Sequence, residues 1–323
     1  MPMSARAACD PPRCLDVVVP VPSGLRVPDS TVRILLPAGY DESSERYPVL
    51  YLLHGAGDTY ATWTENTDVQ AFSADFPIII VMPDGGHDAN AGFYSDWLDG
   101  SRQWETFHTR VLRRFIDRNF RTLASRGHRA VMGLSMGGFG AMSYAARHRD
   151  LFAAAASFSG AVDTFYPTPT GNILFASGIV GRGVWGDPVT YEANWRRHNP
   201  TDLARDLRGI ALFVATGDGT KGGPAGDVDS PGAYAIEEIV AAMNDSFAAA
   251  LDRARVPYEK DFYPGGYHGW PYWERELHWS LPQIMALIGP GADGADERRC
   301  ARRVARIGSS TGAKRAIRDA RCP

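Results

Sequence analysis

Short apolar runs alternate along this chain with longer segments that carry helical periodicity. Seven runs predict β-strands, at Thr31–Leu36, Val49–Leu53, Ile78–Met82, Ala130–Gly133, Ala153–Phe158, Leu212–Thr216 and Tyr258–Tyr263. Several are apolar throughout, as expected for strands that are covered on both faces. The helical patterns lie at Trp104–Phe120, Gly138–His148, Ala235–Arg255 and Trp273–Ile288. We therefore expect an α/β fold with a mostly parallel central sheet and helices on both of its faces.

The overall charge gives no reason to expect a polyanionic partner. The chain carries 34 Lys and Arg residues against 37 Asp and Glu residues, a formal net charge of −3, so we expect no nucleic-acid binding. No run approaches the roughly 18 apolar residues of a membrane span, and we expect no transmembrane segment. The first 25 residues contain no apolar signal core, so the signal of an exported form would lie outside this sequence.

The two margins of the chain differ from its middle. We expect an N-terminal extension over residues 1–25, a catalytic domain over 26–288 and a basic tail over 289–323. Residues 291–323 hold 9 basic and 4 acidic residues. All four cysteines lie in the margins, and although they allow three pairings, we expect local disulfides, Cys9 with Cys14 and Cys300 with Cys322. Four unpaired thiols in a cytoplasmic enzyme are the alternative.

One segment of the expected catalytic domain breaks the alternation of strands and helices. Residues 161–199 are rich in Gly, Pro, Trp and Tyr and show little periodicity. Because ligands bind outside the carboxyl ends of the strands in such folds, we expect this excursion to pass over the active-site side of the sheet.

The strongest chemical signal is the sequence Gly133-Leu134-Ser135-Met136-Gly137, which stands directly between a predicted strand and a predicted helix. This pattern indicates a nucleophile elbow, a tight strand-to-helix turn that projects the serine above the sheet. Glycine is needed two residues before and two residues after the serine because the turn leaves no room for side chains there. We therefore expect Ser135 to be a catalytic nucleophile.

A nucleophilic serine needs a base and an acid, which follow it along the chain in folds with such an elbow. His268 is the candidate base because it lies in a glycine-rich loop after the last predicted strand, where functional residues concentrate. Two residues are candidates for the acid. Asp218 directly follows the strand Leu212–Thr216, whereas Glu237 lies further on, at the start of a helix. Spacing alone favours Asp218.

An acyl-transfer site must also stabilise an oxyanion, usually with two backbone N–H groups. One belongs to the residue after the nucleophile, Met136. The other is expected from the glycine turn that follows the strand Val49–Leu53, where Ala56 is the candidate donor. His54 and Asp58 flank this turn, and the alternative is that they only cap it.

These motifs together resemble an α/β-hydrolase esterase family, that of esterase D and the mycobacterial antigen 85 mycolyltransferases. The resemblance covers roughly residues 26–288. It includes the elbow, Leu52-Leu53-His54-Gly55, Met82-Pro83-Asp84-Gly85-Gly86, Phe93-Tyr94-Ser95-Asp96-Trp97, Trp104-Glu105-Thr106-Phe107, Val184-Trp185-Gly186-Asp187 and His268-Gly269-Trp270-Pro271-Tyr272-Trp273. The mycolyltransferase pattern places the acid at a glutamate ahead of Asn244-Asp245-Ser246-Phe247. The resemblance therefore implies Glu237 as the acid, with Asp218 in reserve.

The resemblance also implies substrate-binding residues, and it contains one departure. Mycolyltransferases carry an Asp and an Arg in the loop that follows the early strand, and these engage trehalose. His54 and Gly57 stand at those positions here, as in ordinary esterases of the family, so transfer to trehalose is not expected. Trp97 and Trp270 correspond to aromatic residues of the family's cleft. We expect His54, Trp97 and Trp270 to be substrate-binding residues.

The sequence thus predicts a secreted or cell-envelope serine esterase that acts on a small-molecule, lipid or carbohydrate ester without a metal or an organic cofactor. A second hypothesis is an acyltransferase, in which a sugar or lipid hydroxyl replaces water. A third is a non-catalytic envelope-binding protein that uses its basic tail for adhesion. The intact set of serine, histidine and acid favours the first two, and a cytoplasmic location is the alternative to export.

Overall fold

The computed structural model describes residues 9–86, 91–168 and 170–291. Eight strands in these ranges form one sheet. They are β1 (Cys14–Val18), β2 (Thr31–Leu35), β3 (Val49–Leu53), β4 (Ile79–Pro83), β5 (Arg129–Leu134), β6 (Ala154–Phe158), β7 (Ala211–Thr216) and β8 (Glu259–Phe262). The seven strands expected from the sequence are all present, within one or two residues of their expected ends.

The strand order is β1-β2-β4-β3-β5-β6-β7-β8. Strands β1, β2 and β4 pair in antiparallel fashion, and every pair from β4 to β8 is parallel. The carboxyl ends of β3, β5, β6, β7 and β8 therefore open onto the same edge of the sheet. This edge is where ligands are expected to bind in folds of this kind.

Helices cover both faces of the sheet, as expected. They are α1 (Thr62–Asn66), α2 (Val69–Phe72), α3 (Trp104–Thr106), α4 (Arg113–Asn119), α5 (Met136–Arg147), α6 (Ile173–Ala176), α7 (Arg182–Trp185), α8 (Glu192–Arg196), α9 (Pro231–Ala254) and α10 (Trp270–Ile288). A π-helical turn, Phe107–Leu112, joins α3 to α4. Among the described residues, none of the helices has both the length and the apolar character that a membrane crossing requires.

Alternate residues of the central strands feed two separate apolar cores. In β3, Tyr51 belongs to the core that includes residues of α5 and α9, whereas Leu50 and Leu52 belong to the core that includes residues of α10. Successive strand side chains point to opposite faces, so a strand that is covered on both sides must be apolar at every position. This explains why the central runs are continuously apolar rather than alternating.

The N-terminal margin is part of the sheet. The structure places β1 at the sheet edge, paired with β2 over five residues from Cys14 to Val18, so part of the expected extension over residues 1–25 joins the catalytic unit. Cys9 and Cys14 form a disulfide, as expected from their spacing. Cys300 and Cys322, and the basic tail from residue 292 onward, lie outside the described residues.

The excursion between β6 and β7 contains three short helices and is anchored by tryptophans. Trp185 packs against Trp195 and against Phe139 of α5, with ring centroids 4.9 and 5.2 Å apart. His198 stacks on Trp185, and burial lowers the pKa of His198 to about 4. The segment begins after the carboxyl end of β6 and packs on α5 through Trp185.

A buried ion pair fixes the helical segment that begins at α3 against α5. Glu105 accepts two hydrogen bonds from the Arg147 guanidinium, at 3.0 and 3.1 Å, and lies 2.7 Å from His148 Nε2. Burial opposes ionisation of Glu105, but its bonds to His148 and Arg147 outweigh this and lower its pKa to about 2. A carboxyl group with a lowered pKa stabilises the folded state above its ordinary pKa and loses this effect as the pH falls.

We predict that Glu105→Gln lowers the free energy of unfolding at pH 7 by about 3 kcal/mol, because the substitution leaves the partly buried Arg147 without its charged partner. The difference from the unsubstituted protein shrinks below about pH 4.5 and closes near pH 2, and urea unfolding at several pH values measures it. Glu192→Gln is a matched control, since Glu192 forms an exposed pair with Arg196 and its loss costs about 0.5 kcal/mol. Equal losses for the two variants at pH 7 would contradict this account.

Candidate active site

Ser135 occupies a strained turn between β5 and α5. Its backbone has φ 52° and ψ −117°, a conformation that L-residues rarely adopt. A Cβ on Gly133 would lie 2.4 Å from the Gly137 carbonyl group, and a Cβ on Gly137 would lie 2.5 Å from the Leu53 carbonyl oxygen. Both glycines are therefore required by close backbone contacts, as the elbow pattern predicts, and the turn lifts the serine above the sheet edge.

His268 lies between the serine and a carboxylate. Its Nε2 is 2.9 Å from Ser135 Oγ, and its Nδ1 is 2.9 Å from Glu237 Oε2. A carboxylate accepts at Nδ1, so the neutral ring carries its proton there and accepts the Ser135 hydroxyl proton at Nε2. The backbone N–H of His268 donates to the Ala233 carbonyl oxygen at 3.1 Å, and this bond ties the histidine loop to the start of α9.

Glu237 projects from the second turn of α9 into the interior, where its side chain is fully buried. Its Oε1 accepts hydrogen bonds from Ser159 Oγ at 2.7 Å, Thr216 Oγ1 at 3.1 Å and the Gly217 N–H at 2.9 Å. Its Oε2 faces His268. Both oxygens of this buried carboxylate are therefore hydrogen-bonded, as the burial of a charge requires.

Asp218 does not contact His268 but supports the loop that carries it. Its Oδ1 accepts from the N–H and the hydroxyl of Thr220, at 2.9 and 2.6 Å, and from the Gly265 N–H at 2.8 Å. Burial works in the opposite direction, but these bonds lower the pKa of Asp218. The acid favoured by spacing thus closes a turn, whereas the acid implied by the resemblance faces the histidine.

Two backbone N–H groups, one at the start of α5 and one in the loop after β3, lack a hydrogen-bond acceptor among the described residues. They are the N–H groups of Met136 and Ala56. Met136 is the first residue of α5, where backbone N–H groups lack partners in the helix and the helix dipole favours negative charge. Ala56 is exposed in the loop after β3. These are the two donors expected from the sequence.

His54 lies beneath this loop and is only 1% exposed. Its Nε2 accepts from the Gly85 N–H at 2.8 Å, so Nδ1 carries the proton and donates to the Gly55 carbonyl oxygen at 2.7 Å. The Tyr94 hydroxyl donates to the His54 carbonyl oxygen at 2.9 Å. A ring in this position is not accessible to a substrate, which corrects the expectation that His54 binds one.

The two expected cleft tryptophans are both partly buried, and they differ in their surroundings. Trp270 begins α10, two residues after His268, and packs edge-to-face on Trp63 with ring centroids 5.3 Å apart. Trp97 donates its indole N–H to the Gly92 carbonyl oxygen at 3.1 Å and stacks under the Arg102 guanidinium. Of the two tryptophans, Trp270 is the one that lies close to His268 in the sequence.

A second carboxyl group is buried near the site. Glu276 is fully buried, and Tyr263 donates a hydrogen bond of 2.6 Å to its Oε1. Burial, with a further contribution from the nearby Glu237 carboxylate, raises the pKa of Glu276 well above its ordinary value. A raised pKa favours the neutral form of Glu276.

Sequence reasoning missed the two hydroxyl side chains that contact Glu237. Ser159 follows β6 directly, and Thr216 is the last residue of β7. A sequence signal exists, because polar residues at the carboxyl end of an apolar strand lie at the edge where ligands bind. It does not say which carboxylate they contact, since that depends on how α9 packs.

Comparison with known proteins decides the family of the chain. A family model described as "Putative esterase" matches residues 28–284. The chain belongs to this esterase family. The match runs from β2 into α10 and so contains every strand whose carboxyl end opens onto the edge that carries Ser135.

Curated relatives include both hydrolases and transferases. The chain is 38% identical over 277 residues to Esterase Rv1288 of Mycobacterium tuberculosis, and the alignment covers 83% of this chain and 58% of that protein. It therefore spans little more than half the length of that relative. It is also 30% identical over 281 residues to diacylglycerol acyltransferase/mycolyltransferase Ag85B of Mycobacterium leprae, covering 82% of this chain and 83% of that protein.

Solved structures share the fold. A ferulic acid esterase is 28% identical, with a TM-score of 0.61, over 80% of this chain and 92% of that one. MPT51 (FbpC1) of Mycobacterium tuberculosis is 23% identical, with a TM-score of 0.65, over 85% of this chain and 98% of that one. These similarities confirm the α/β-hydrolase fold expected from the sequence.

Proposed function

We propose that this chain is a serine esterase that hydrolyses carboxylic esters through an acyl-enzyme, with Ser135 as nucleophile, His268 as general base and Glu237 as the acid. The observation that carries the proposal is the unbroken hydrogen-bonded path from Glu237 through His268 to Ser135. Family membership and the 38% identity to an esterase support the same reaction class.

In the first half of the reaction, Ser135 Oγ attacks the ester carbonyl carbon while His268 Nε2 takes the hydroxyl proton. The imidazolium that forms is stabilised by the Glu237 carboxylate at Nδ1. His268 then returns the proton to the departing alkoxide, and the alcohol leaves. The buried position of Glu237 strengthens its interaction with the imidazolium, because little water screens the two charges.

The tetrahedral intermediate carries its negative charge on the former carbonyl oxygen. We propose that the N–H groups of Met136 and Ala56 receive this oxyanion, and each such donor contributes about 3 kcal/mol to transition-state stabilisation. His54 is a positioning residue in this scheme. Its Nδ1–H group donates to the Gly55 carbonyl oxygen and holds that carbonyl group pointing inward. The Ala56 N–H belongs to the same peptide bond and therefore points the other way, toward the site.

Water deacylates the enzyme in the second half of the reaction, with His268 again acting as base. An acyltransferase differs only in that a sugar or lipid hydroxyl attacks instead, and the 30% identity to a mycolyltransferase favours this as the second candidate. We propose that Trp270 lines the substrate cleft, because it adjoins the histidine loop. Trp97 remains a candidate for the same role.

Export is supported by the Cys9–Cys14 disulfide, since such bonds persist in oxidising compartments. We propose a secreted or envelope-associated enzyme whose catalytic unit includes β1 and ends near residue 288. We also propose that the basic tail that follows contacts an acidic envelope polymer.

We predict that Ser135→Ala retains the fold but lowers kcat/KM for ester hydrolysis by about four orders of magnitude or more, because only binding and the oxyanion donors remain. Hydrolysis of p-nitrophenyl esters of increasing chain length measures this loss and ranks the acyl chains. Ser101→Ala, a change in an exposed loop, is the control. Near-normal turnover by the Ser135 variant would end the serine-esterase proposal.

The choice of acid makes a separate prediction. Glu237→Gln should lower kcat at least 100-fold, because a neutral amide cannot stabilise the imidazolium. Asp218→Asn removes charge from a turn that does not touch the ring, so its kcat should stay within a fewfold of the unsubstituted enzyme. Steady-state kinetics on one activated ester compares the two. A larger loss in the Asp218 variant would transfer the role of the acid to that residue.

A further inference from the structure

We propose that Ser159 and Thr216 are positioning residues for catalysis. With the Gly217 N–H, their hydroxyl groups clamp one oxygen of Glu237 so that the other oxygen is aimed at His268. This inference rests on the proposed role of Glu237 as the acid. We refer to Ser159, Thr216 and Gly217 as the carboxylate clamp.

The clamp joins three elements of the fold at one atom. Ser159 comes from the carboxyl end of β6, and Thr216 and Gly217 come from the carboxyl end of β7, whereas Glu237 comes from α9. All three donors reach Oε1, at distances of 2.7, 3.1 and 2.9 Å. Strands β6 and β7 are paired neighbours in the sheet, so the clamp is built on the same rigid edge that presents Ser135.

A clamp is needed because the acid is supplied by a helix. The glutamate side chain has three rotatable bonds, and fixing such a side chain in one conformation costs rotamer freedom. A charged carboxylate in a dry interior also requires hydrogen-bond donors, or it takes up a proton. The three donors meet both needs, since they fix the orientation of the group and favour its ionised form.

Ser159 shows local strain that is consistent with a positional role. Its φ is +44°, although it is not a glycine, and it is fully buried. Its N–H donates to the Ala215 carbonyl oxygen at 2.8 Å, which holds the backbone in this conformation against β7. Backbone strain of this kind persists only where the surrounding structure enforces it, and it concentrates at functional sites.

Among the described residues, the carboxylate clamp is the main source of hydrogen bonds to Glu237 apart from His268. Other charged and titratable groups surround Glu237. Tyr263 at the end of β8 and Glu276 of α10 both interact with Glu237 electrostatically. Each has a raised pKa, caused first by burial. Asp58, in the loop after β3, interacts with His268. The Arg275 guanidinium forms an ion pair with Asp261 and lies over the Tyr263 ring.

Removing a donor from Oε1 makes the carboxylate a better proton acceptor, so the Glu237–His268 pair takes up a proton at higher pH. The active form of His268 is neutral, and the acid limb of the kcat/KM profile must therefore move upward. The Ser159 bond is the shorter of the two hydroxyl bonds. The Thr216 hydroxyl also lies 3.1 Å from the Gly217 carbonyl oxygen, so its single proton is shared and its loss should matter less.

The test compares pH profiles of kcat/KM for Ser159→Ala and Thr216→Val on one activated ester. We expect the acid limb to shift upward by about one pH unit in Ser159→Ala and by about half a unit in Thr216→Val, with kcat reduced about tenfold or less. Thr216→Ser keeps the hydroxyl and should restore the original profile. The proton resonance of the His268 Nδ1–H group, recorded at low pH without substrate, reports the same contact independently of activity.

Ser246→Ala is the matched control, because Ser246 also lies on α9 and donates to a carboxylate, that of Asp163, away from the histidine. Its acid limb should not move. The proposal is overturned if Ser159→Ala and Thr216→Val keep the original limb and resonance, or if the control shifts equally. If Ser159→Ala does not fold, the Thr216 pair of variants decides. Full activity of Glu237→Gln would instead contradict the proposed function itself.

Discussion

The close contact between Gly133 and Gly137 is the constraint on which the rest of the site depends. It allows β5 to turn into α5 within a single residue, and that residue, Ser135, is held in a backbone conformation that exposes its hydroxyl. The same turn places the first N–H of α5 beside the serine. Any side chain at either glycine would push the strand and the helix apart, so the positions of Ser135 and of the Met136 N–H are fixed together with the packing.

The remaining groups reach Ser135 from separate elements that end at the same edge. The loop after β3 brings an N–H group, the loop after β8 brings His268, and α9 brings Glu237. The most demanding of these is the buried carboxylate, because a charge in the interior is tolerated only with its hydrogen bonds satisfied. Polar residues at the ends of β6 and β7 supply these hydrogen bonds. They allow an acid on a helix to take a position beside His268 that a residue at a strand end would reach more directly.

Much of the fold followed from the sequence because continuous apolar runs and helical periodicity are local signals. The seven expected strands formed, and the elbow formed around Ser135. Strand β1 was missed because only part of it is buried, and an edge strand of mixed polarity lacks such a run. The acid shows the other limit. Spacing favoured Asp218, but the direction in which Glu237 points depends on the packing of α9, which no local pattern records.

The same limit applies to His54 and to the clamp. The sequence marks His54 as the polar residue of a functional loop, yet its ring turns inward, because the Gly85 N–H and the Gly55 carbonyl group satisfy its two nitrogens. Ser159 and Thr216 are short polar residues at strand ends, and only the three-dimensional structure shows that they converge on one carboxylate oxygen. Long-range contacts of this kind assign roles that residue type alone leaves open.

The central claim is that Ser135 is a nucleophile facing two backbone donors, and an experimental structure of the enzyme after reaction with an alkyl fluorophosphonate tests it most directly. The account predicts a covalent bond between phosphorus and Ser135 Oγ, with the phosphoryl oxygen within about 3 Å of both the Met136 and Ala56 nitrogens. Modification of another residue, or a phosphoryl oxygen directed away from these two N–H groups, would contradict it.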